Sequence, residues 1–325
     1  MIPKKIVLTV FLLSFIFLFR VNAQKYNTID NTVLKYPTNF NSVESLAERI
    51  QKDFTSDYDK ARAIYSWIAL NIKYDYKAYL NPPKPLRFTY INEADKQAKI
   101  AVLKEKTWQN TFESRKAVCE GFTLLYQELA SLTGLKCEVI RGDSKRSLSD
   151  IGRENSFSNH SWNMVQVDGK WILIDVTWGQ GYYDSGKKVA VNHFSPVYFD
   201  TDPKYFFAKH FPDSGTYLGK KLNKEDFLNG PLLFDAAIEG GHEILAPASG
   251  IIKANEGDKI RFKIKNIAKT DLFYYLKNGK PVRIEDSKAV NGVLEFEVIY
   301  DKKIGSYITF FLDRDGIMSF KILSK

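Results

Sequence analysis

The chain has 325 residues, 44% of them hydrophobic and 14% aromatic, which is enough apolar material for a sizeable core and a length that predicts about two domains. Its 47 Lys and Arg stand against 38 Asp and Glu, a formal net charge of +9. The basic residues alternate with acidic ones along the chain, which argues against a nucleic-acid groove and leaves only weak attraction to anionic polymers.

Lys4-Lys5, the apolar run Ile6 to Phe19 and then Val21-Asn22-Ala23 have the basic, hydrophobic and small-residue parts of a secretory signal peptide, residues 1–23, with Gln24 as the first mature residue. The run is shorter than the ~20 residues that span a bilayer. An exported chain, periplasmic or secreted and without stable membrane insertion after cleavage, is therefore expected. No cysteine follows the cleavage site to take a lipid.

Residues 25–40 are polar and Asn-rich and predict no definite element. Asn41 to Phe54 predicts a helix, with Asn41 or Ser42 as cap, Glu44 completing a capping box and Val43, Leu46, Ala47 and Ile50 on one face. A second helix starts at Ser56, with Asp59 at the capping-box position and Ala61, Ile64, Tyr65, Trp67, Ile68 and Ile72 on its buried side. Trp67 on that stripe is read as core. Asn81-Pro82-Pro83-Lys84-Pro85 breaks the chain, and a charged helix follows from Asn92 to about Lys106, with Trp108 to Arg115 leading out of it.

Cys119 then opens an apolar-periodic segment in which Phe122, Leu125, Tyr126 and Leu129 share a helical face. A thiol at a helix N-terminus lies at the positive end of the macrodipole, which favours the thiolate. Gly121 in the first turn would leave room for a substrate. Seen alone, the cysteine reads equally well as a small buried hydrophobe.

Two cysteines in an exported protein first suggest a disulfide. A helix from Cys119 to about Thr133, stopped by Gly134, is roughly 20 Å long at ~1.5 Å per residue. Cys137 lies beyond its far end, whereas a bridge needs Cα atoms within about 7 Å. Both thiols are thus expected to be free, Cys137 as a buried strand thiol. The polar run Gly142 to Asn159 predicts a loop.

His160 to Val167, Asp168-Gly169 and Lys170 to Trp178 predict a β-hairpin, since an Asp-Gly pair between β-rich runs is a preferred two-residue turn. If Val167 faces Lys170, His160 faces Thr177 and Trp162 faces Asp175. Alternation then puts His160, Trp162, Met164, Asp175 and Thr177 on one face, with His160 and Asp175 as diagonal neighbours. A carboxylate on one ring nitrogen fixes the imidazole tautomer and leaves the other nitrogen to take a thiol proton. Nucleophile, base and orienting acid are thus offered by Cys119, His160 and Asp175.

Cys119-Glu120-Gly121-Phe122, His160-Ser161-Trp162-Asn163 and Asp175-Val176-Thr177-Trp178, preceded by the helix carrying Ala61, Ile64, Trp67 and Ile68 and by Tyr74-Asp75, resemble the transglutaminase-like superfamily of papain-related cysteine enzymes. The resemblance covers roughly Ser56 to Gly179. It implies an α+β papain-like core with Cys119 as nucleophile, His160 as base and Asp175 as orienting carboxylate. Tyr198-Phe199-Asp200-Thr201-Asp202-Pro203, His210-Phe211-Pro212 and Leu228-Asn229-Gly230-Pro231 resemble more loosely the segment that follows this core in the kyphoscoliosis-peptidase branch. For the tetrahedral oxyanion, the backbone N–H of Cys119 is one candidate donor. A second could come from Trp108, Gln109 or Asn110, and no spacing selects among them.

From about Asp235 the pattern changes to short alternating strands. Ile260, Phe262 and Ile264 alternate with basic residues, further runs cover 272–276, 282–285, 293–300, 306–312 and 317–323, and Asn278-Gly279 and Asp315-Gly316 mark turns. This predicts an antiparallel sandwich of immunoglobulin type. The expected organisation is a signal peptide (1–23), a transglutaminase-like α+β catalytic domain (24–234) and an immunoglobulin-like β-sandwich (235–325). His193, His210 and His242 lie 17 and 32 residues apart, show no metal-ligand spacing and are read as structural or surface residues. No Gly-rich phosphate loop follows a strand, so neither metal nor cofactor is expected.

The expected activity is that of a thiol enzyme acting on an amide of a peptide or protein, with cell-envelope material as one candidate substrate. Hydrolysis and transamidation would use the same residues. Hydrolysis is preferred because no amine site shows in the sequence. The alternative is a non-catalytic peptide-binding or scaffold protein that keeps the fold. Loss of a triad member would mark that alternative, and none is lost.

Overall fold

The computed structural model describes residues 28–82, 87–184, 186–187, 189–268 and 272–325. The expected signal peptide, residues 1–23, lies outside the described residues. The chain divides into two compact units: residues up to Val139 with Trp162–Phe199, and Ile140–Ser161 with Asp200–Lys325.

In the first unit α1 (Val43–Asp53) buries Val43, Leu46, Ala47 and Ile50. Its cap is Ser42, but the reciprocal partner is Ser45 rather than Glu44, each hydroxyl accepting the other residue's N–H at 3.2 Å. α2 (Asp57–Asn71) is capped by Ser56, whose hydroxyl accepts the Asp59 N–H at 3.1 Å. It is buried on every side from Ala61 to Ala69, so it is the central helix of this unit. Arg62 can be enclosed there because Asp30 takes its guanidinium with both oxygens, at 3.0 and 2.8 Å. This fork fixes residues 28–33, which are helical although their composition predicts nothing. Trp67 is core as expected, stacked on Phe112 at 5.8 Å.

β1 (Lys73–Tyr74) and the short α3 (Tyr76–Leu80) lead to α4 (Glu93–Ser114). α4 does not stop near Lys106. Thr107 to Ser114 contain no Gly or Pro to break it, and it ends only where Arg115 turns left-handed at φ 56°. β2 (Lys116–Ala117) and α5 (Cys119–Leu132) follow, with Gly134 at φ +83° just beyond the helix.

β3 (Lys136–Ser144), β4 (His160–Val167) and β5 (Lys170–Ile174) come next. The hairpin register is the expected one, from Val167↔Lys170 to Asn163↔Ile174. Its turn places Asp168 and Gly169 at φ 49° and 77°, the left-handed pair that Asp-Gly tolerates. The second strand ends earlier than predicted. Asp175 Oδ1 accepts the Trp178 N–H at 3.0 Å and starts α6 (Val176–Gln180), so Thr177 is a helical residue and not a cross-strand partner of His160. β6 (Gly181–Asp184) and β7 (Val189–Asn192) form a second hairpin.

In the second unit, the stretch expected to be a loop from Gly142 is partly structured. Gly142, Asp143 and Ser144 pair with β8 (His210–Pro212), and Asp143, Ser144, Lys145 and Ile151 are buried. Ser144 and Lys145 can be interior because partners meet them: Asn159 Oδ1 accepts the Ser144 N–H at 2.8 Å, and Lys145 Nζ donates to the Gly230 carbonyl at 2.7 Å. α7 (Pro203–Lys209) precedes β8, and β9 (Thr216–Tyr217), β10 (Lys220–Lys221), α8 (Lys224–Asn229), β11 (Leu232–Leu233) and α9 (Asp235–Glu239) follow.

The remaining strands are β12 (Glu243–Ala246), β13 (Ile251–Lys253), β14 (Lys259–Lys265), β15 (Phe273–Lys277), β16 (Lys280–Arg283), β17 (Ser287–Val290), β18 (Val293–Ile299), β19 (Tyr307–Leu312) and β20 (Asp315–Leu323). One sheet has the order β12-β14-β18-β17, the other β11-β20-β19-β15-β16, with β13 parallel to β20. Phe262 and Phe296 from the first sheet meet Phe273, Phe310 and Phe320 from the second in one buried cluster, so the two sheets form a sandwich. On the outer face Arg261 pairs with Glu297 at 3.2 Å and Lys263 with Glu295 at 2.7 Å, so this basic row is balanced across the strand. The last turn falls at 313–314 rather than at Asp315-Gly316, with Asp313 at φ 55° and a bulge that moves Phe311 opposite Gly316. The second sheet already includes Leu232–Leu233, ahead of the expected boundary at 235.

Candidate active site

The backbone leading to Cys119 is held by a two-stranded parallel pairing, Lys73↔Lys116 and Tyr74↔Ala117. The Lys73 N–H donates to the Arg115 carbonyl at 2.9 Å, and the Asp75 N–H to that of Ala117 at 2.7 Å. Val118 is the N-cap of α5 and offers no side-chain cap, and Cys119 is the first helical residue, half-buried and not in a disulfide. The helix behind it is immobilised by burial of Phe122, Leu125, Tyr126 and Leu129. Tyr126 Oη donates to the Ala61 carbonyl at 3.0 Å, and Gln127 Nε2 to that of Cys137 at 3.0 Å.

Gly121 faces inward. A Cβ there would run into Thr111 Oγ1 and Ala117 Cβ, so its smallness lets α5 approach α4 and β2 rather than opening space for a substrate. Cys137 is also a free thiol. Burial pushes it up to about 12, with Asn163 Nδ2 donating to its sulfur at 3.4 Å. It stays protonated at neutral pH, which leaves Cys119 as the candidate nucleophile.

His160 is the first residue of β4, and Asp175 follows β5 directly; both are buried. Asp175 is fixed by the N–H of Trp178 on its side chain and by its own N–H donating to the Tyr198 carbonyl at 2.9 Å. His160 and His210, both buried, stand together in the second unit.

His210, read from the sequence as a structural or surface residue, is buried beside His160. It opens β8, its ring stacks on Phe206 at 4.0 Å, its Nδ1 lies 3.0 Å from the Phe206 carbonyl, and the His160 ring is 5.6 Å away. Its only sequence signal is the His210-Phe211-Pro212 segment, 50 residues beyond His160.

Asn163, in the motif that begins with His160, is fully buried. Its Nδ2 donates to the Thr123 carbonyl of α5 at 3.1 Å as well as to Cys137 Sγ. The strand headed by His160 is thus latched to the helix headed by Cys119. Trp108, Gln109 and Asn110, the candidates for a second oxyanion donor, all lie within α4. Gln109 Nε2 donates to Glu105 Oε1 at 3.2 Å on an exposed face.

Residues 44–176 match the family model of the transglutaminase-like superfamily. Over 243 residues, 73% of this chain, the sequence is 28% identical to the kyphoscoliosis peptidases of Mus musculus and Homo sapiens, of which the match covers 33%. Hillarin of Drosophila melanogaster is 25% identical over 227 residues, 61% of this chain and 25% of hillarin. A TGase crystal structure aligns with a TM-score of 0.31 at 20% identity, covering 55% of this chain and 44% of that one. The chain spans about a third of the length of the kyphoscoliosis peptidases it matches. Residues 44–176 are therefore similar to the transglutaminase-like superfamily, and 73% of the chain is similar to the kyphoscoliosis peptidases.

Proposed function

We propose that the protein is a thiol-dependent amide hydrolase or acyltransferase acting on a peptide or protein, with Cys119 as nucleophile, His160 as base and Asp175 as the carboxylate that orients it. The observation that carries the reading is Cys119 at the head of α5, with no side-chain cap on that helix, inside the segment matched to the transglutaminase-like superfamily. The β4–β5 register, which runs from Val167↔Lys170 to Asn163↔Ile174, supports it, as does the name peptidase on the relatives.

In this reading His160 takes the thiol proton and the Cys119 sulfur attacks the amide carbonyl carbon. The C–N bond breaks as His160 returns the proton to the leaving amine, and a thioester remains. Water, deprotonated by His160, then attacks the thioester and releases the acid and the thiol. An amine attacking in place of water gives transamidation. In this reading the backbone N–H of Cys119 is a donor to the oxyanion.

The signal-like sequence of residues 1–23 supports an exported protein, periplasmic or secreted, with envelope peptides or proteins as candidate substrates. No helix among the described residues is long and apolar enough to cross a membrane. The C-terminal strand order, with β12-β14-β18-β17 facing β20-β19-β15-β16, supports an immunoglobulin-type sandwich, read as a partner-binding module.

The test is mass spectrometry of a peptide library incubated with wild type or Cys119→Ala, with and without an added amine. Wild type should yield products one water heavier in sum, or amine adducts, and Cys119→Ala neither. Alkylation of Cys119 by iodoacetamide should titrate below the ~8.5 of a free thiol and shift in His160→Ala. Identical digests from both proteins, together with a thiol that titrates as a free one whether or not His160 is present, would sink the reading.

A further inference from the structure

We infer that a row of tyrosines beside Cys119, made of Tyr74, Tyr76, Tyr79 and Tyr183, is a substrate subsite that takes an aromatic side chain of the acyl donor. The inference rests on the thiol reading above and adds a substrate class to it.

The row begins at the nucleophile's own helix. Tyr74 ends β1 in register with Ala117, two residues before Cys119. Its ring lies 6.3 Å from that of Phe122, one turn into α5. From there the rings are connected outward: Tyr74 to Tyr76 at 4.6 Å, Tyr74 to Tyr79 at 6.0 Å, and Tyr76 to Tyr183 on β6 at 4.7 Å. At the outer end Tyr79 is 37% and Tyr183 40% exposed, with Leu80 and Tyr182 exposed in the same elements. Single exposed apolar residues need no explanation, whereas a connected aromatic row that leads to a reactive thiol does.

The charge around the row selects the occupant. Asp75 lies within it, but its carboxyl is committed. It accepts the Ala78 N–H at 3.0 Å, which together with Lys116 holds it below the usual carboxylate range, and Lys116 Nζ lies 3.2 Å from it. Asp75 is thus already paired and not free to recruit a cation, whereas an uncharged ring finds favourable geometry among the tyrosines. The rings are tilted against one another by 33–58°, and further aromatic groups add to such arrays offset or edge-on. Continuity with α5 identifies that ring as part of the chain whose carbonyl reaches Cys119. An unrelated partner would have no reason to dock at this position.

The test uses two peptidyl vinyl sulfones that differ only in Phe or Ala beside the reactive group, with adduct formation at Cys119 followed by intact mass and peptide mapping. The ratio of the two rates within each protein cancels any general change in thiol reactivity. Wild type should favour the Phe probe about 10-fold. Tyr183→Ala and Tyr76→Ala should bring the ratio toward one, and Tyr183→Phe should keep it. A wild-type ratio near one, or a high ratio that survives both alanine variants, overturns the subsite while leaving the thiol reading intact. If neither probe nor iodoacetamide labels Cys119, the thiol reading itself fails and the subsite falls with it.

Discussion

Lys145 offers a pH dependence whose sign and size both follow from its surroundings. The side chain is 1% exposed, its Nζ donates to the Gly230 carbonyl at 2.7 Å and it sits 5.3 Å over the Phe227 ring. Burial lowers the amine from 10.5 to about 8, with Asp150 opposing. Below about pH 8 both folded and unfolded chains hold the proton, so the folded chain bears the full penalty of an enclosed ammonium. Between about 8 and 10.5 the folded chain has released the proton while the unfolded chain keeps it, so stability rises with pH. Above 10.5 the penalty is gone. At ~1.4 kcal/mol per tenfold change in proton affinity, the interval amounts to about 3 kcal/mol. Lys145→Met keeps a long apolar stem but cannot titrate, and it gives up the bond to Gly230, worth about 1–3 kcal/mol. Urea unfolding followed by far-ultraviolet circular dichroism, in steps from pH 7 to 10.5, isolates the effect as wild type minus variant, because the other lysines and tyrosines cancel. The difference should move in favour of wild type by about 3 kcal/mol across that range. A flat difference, or one moving the other way, would show that Lys145 is not held charged against its burial.

How far the sequence discloses this molecule depends on the range of the interaction that sets each element. Helices α1 and α2 are legible because their caps and apolar spacing are local, and α5 because its apolar spacing is. The β4–β5 register is legible because a two-residue Asp-Gly turn fixes every pair after it. The sandwich shows in the strict alternation of Ile260, Phe262 and Ile264. Reading fails where one distant or single contact decides the outcome. Val176-Thr177-Trp178 has strand composition, yet one bond from the Asp175 side chain turns it into a helix. The polar run after Gly142 reads as loop because the groups that satisfy Ser144 and Lys145 lie 15 and 85 residues away. Asp30 shows no purpose until Arg62, 32 residues on, is buried against it. At the candidate site, Cys119, His160 and Asp175 stand in motifs that can be read locally, whereas His210 reaches His160 only through a strand formed 50 residues later.

Two further predictions concern the placement of Cys119. Gly121→Ala should lower stability by about 1–3 kcal/mol through the clash with Thr111 and Ala117, outweighing a helix-propensity gain of up to about 1 kcal/mol. A thermal melt that rises instead would show the contact to be looser than it looks. Asn163 separates stability from reactivity. Its Nδ2 joins β4 to the carbonyl of Thr123 in α5, while its Oδ1 is buried without a partner. Asn163→Leu keeps the heavy-atom count and branching, loses the bond to the Thr123 carbonyl and the weaker one to Cys137 Sγ, together worth about 1–2 kcal/mol, and removes an unpaired buried oxygen that costs about 1–3 kcal/mol. The two terms oppose, so urea unfolding should place this variant within about 1 kcal/mol of wild type, and less stable only if the bonds outweigh the orphaned oxygen. Alkylation of Cys119 and turnover on a peptide substrate should both fall, because the bond from the strand of His160 to the helix of Cys119 is then lost. Asn163→Asp replaces the donor with an acceptor facing the Thr123 carbonyl in a fully buried position, so it should be the less stable of the two variants. If Asn163→Leu matches wild type in alkylation rate and in product formed, the latch has no part in positioning the thiol, and α5 is held by its apolar face alone.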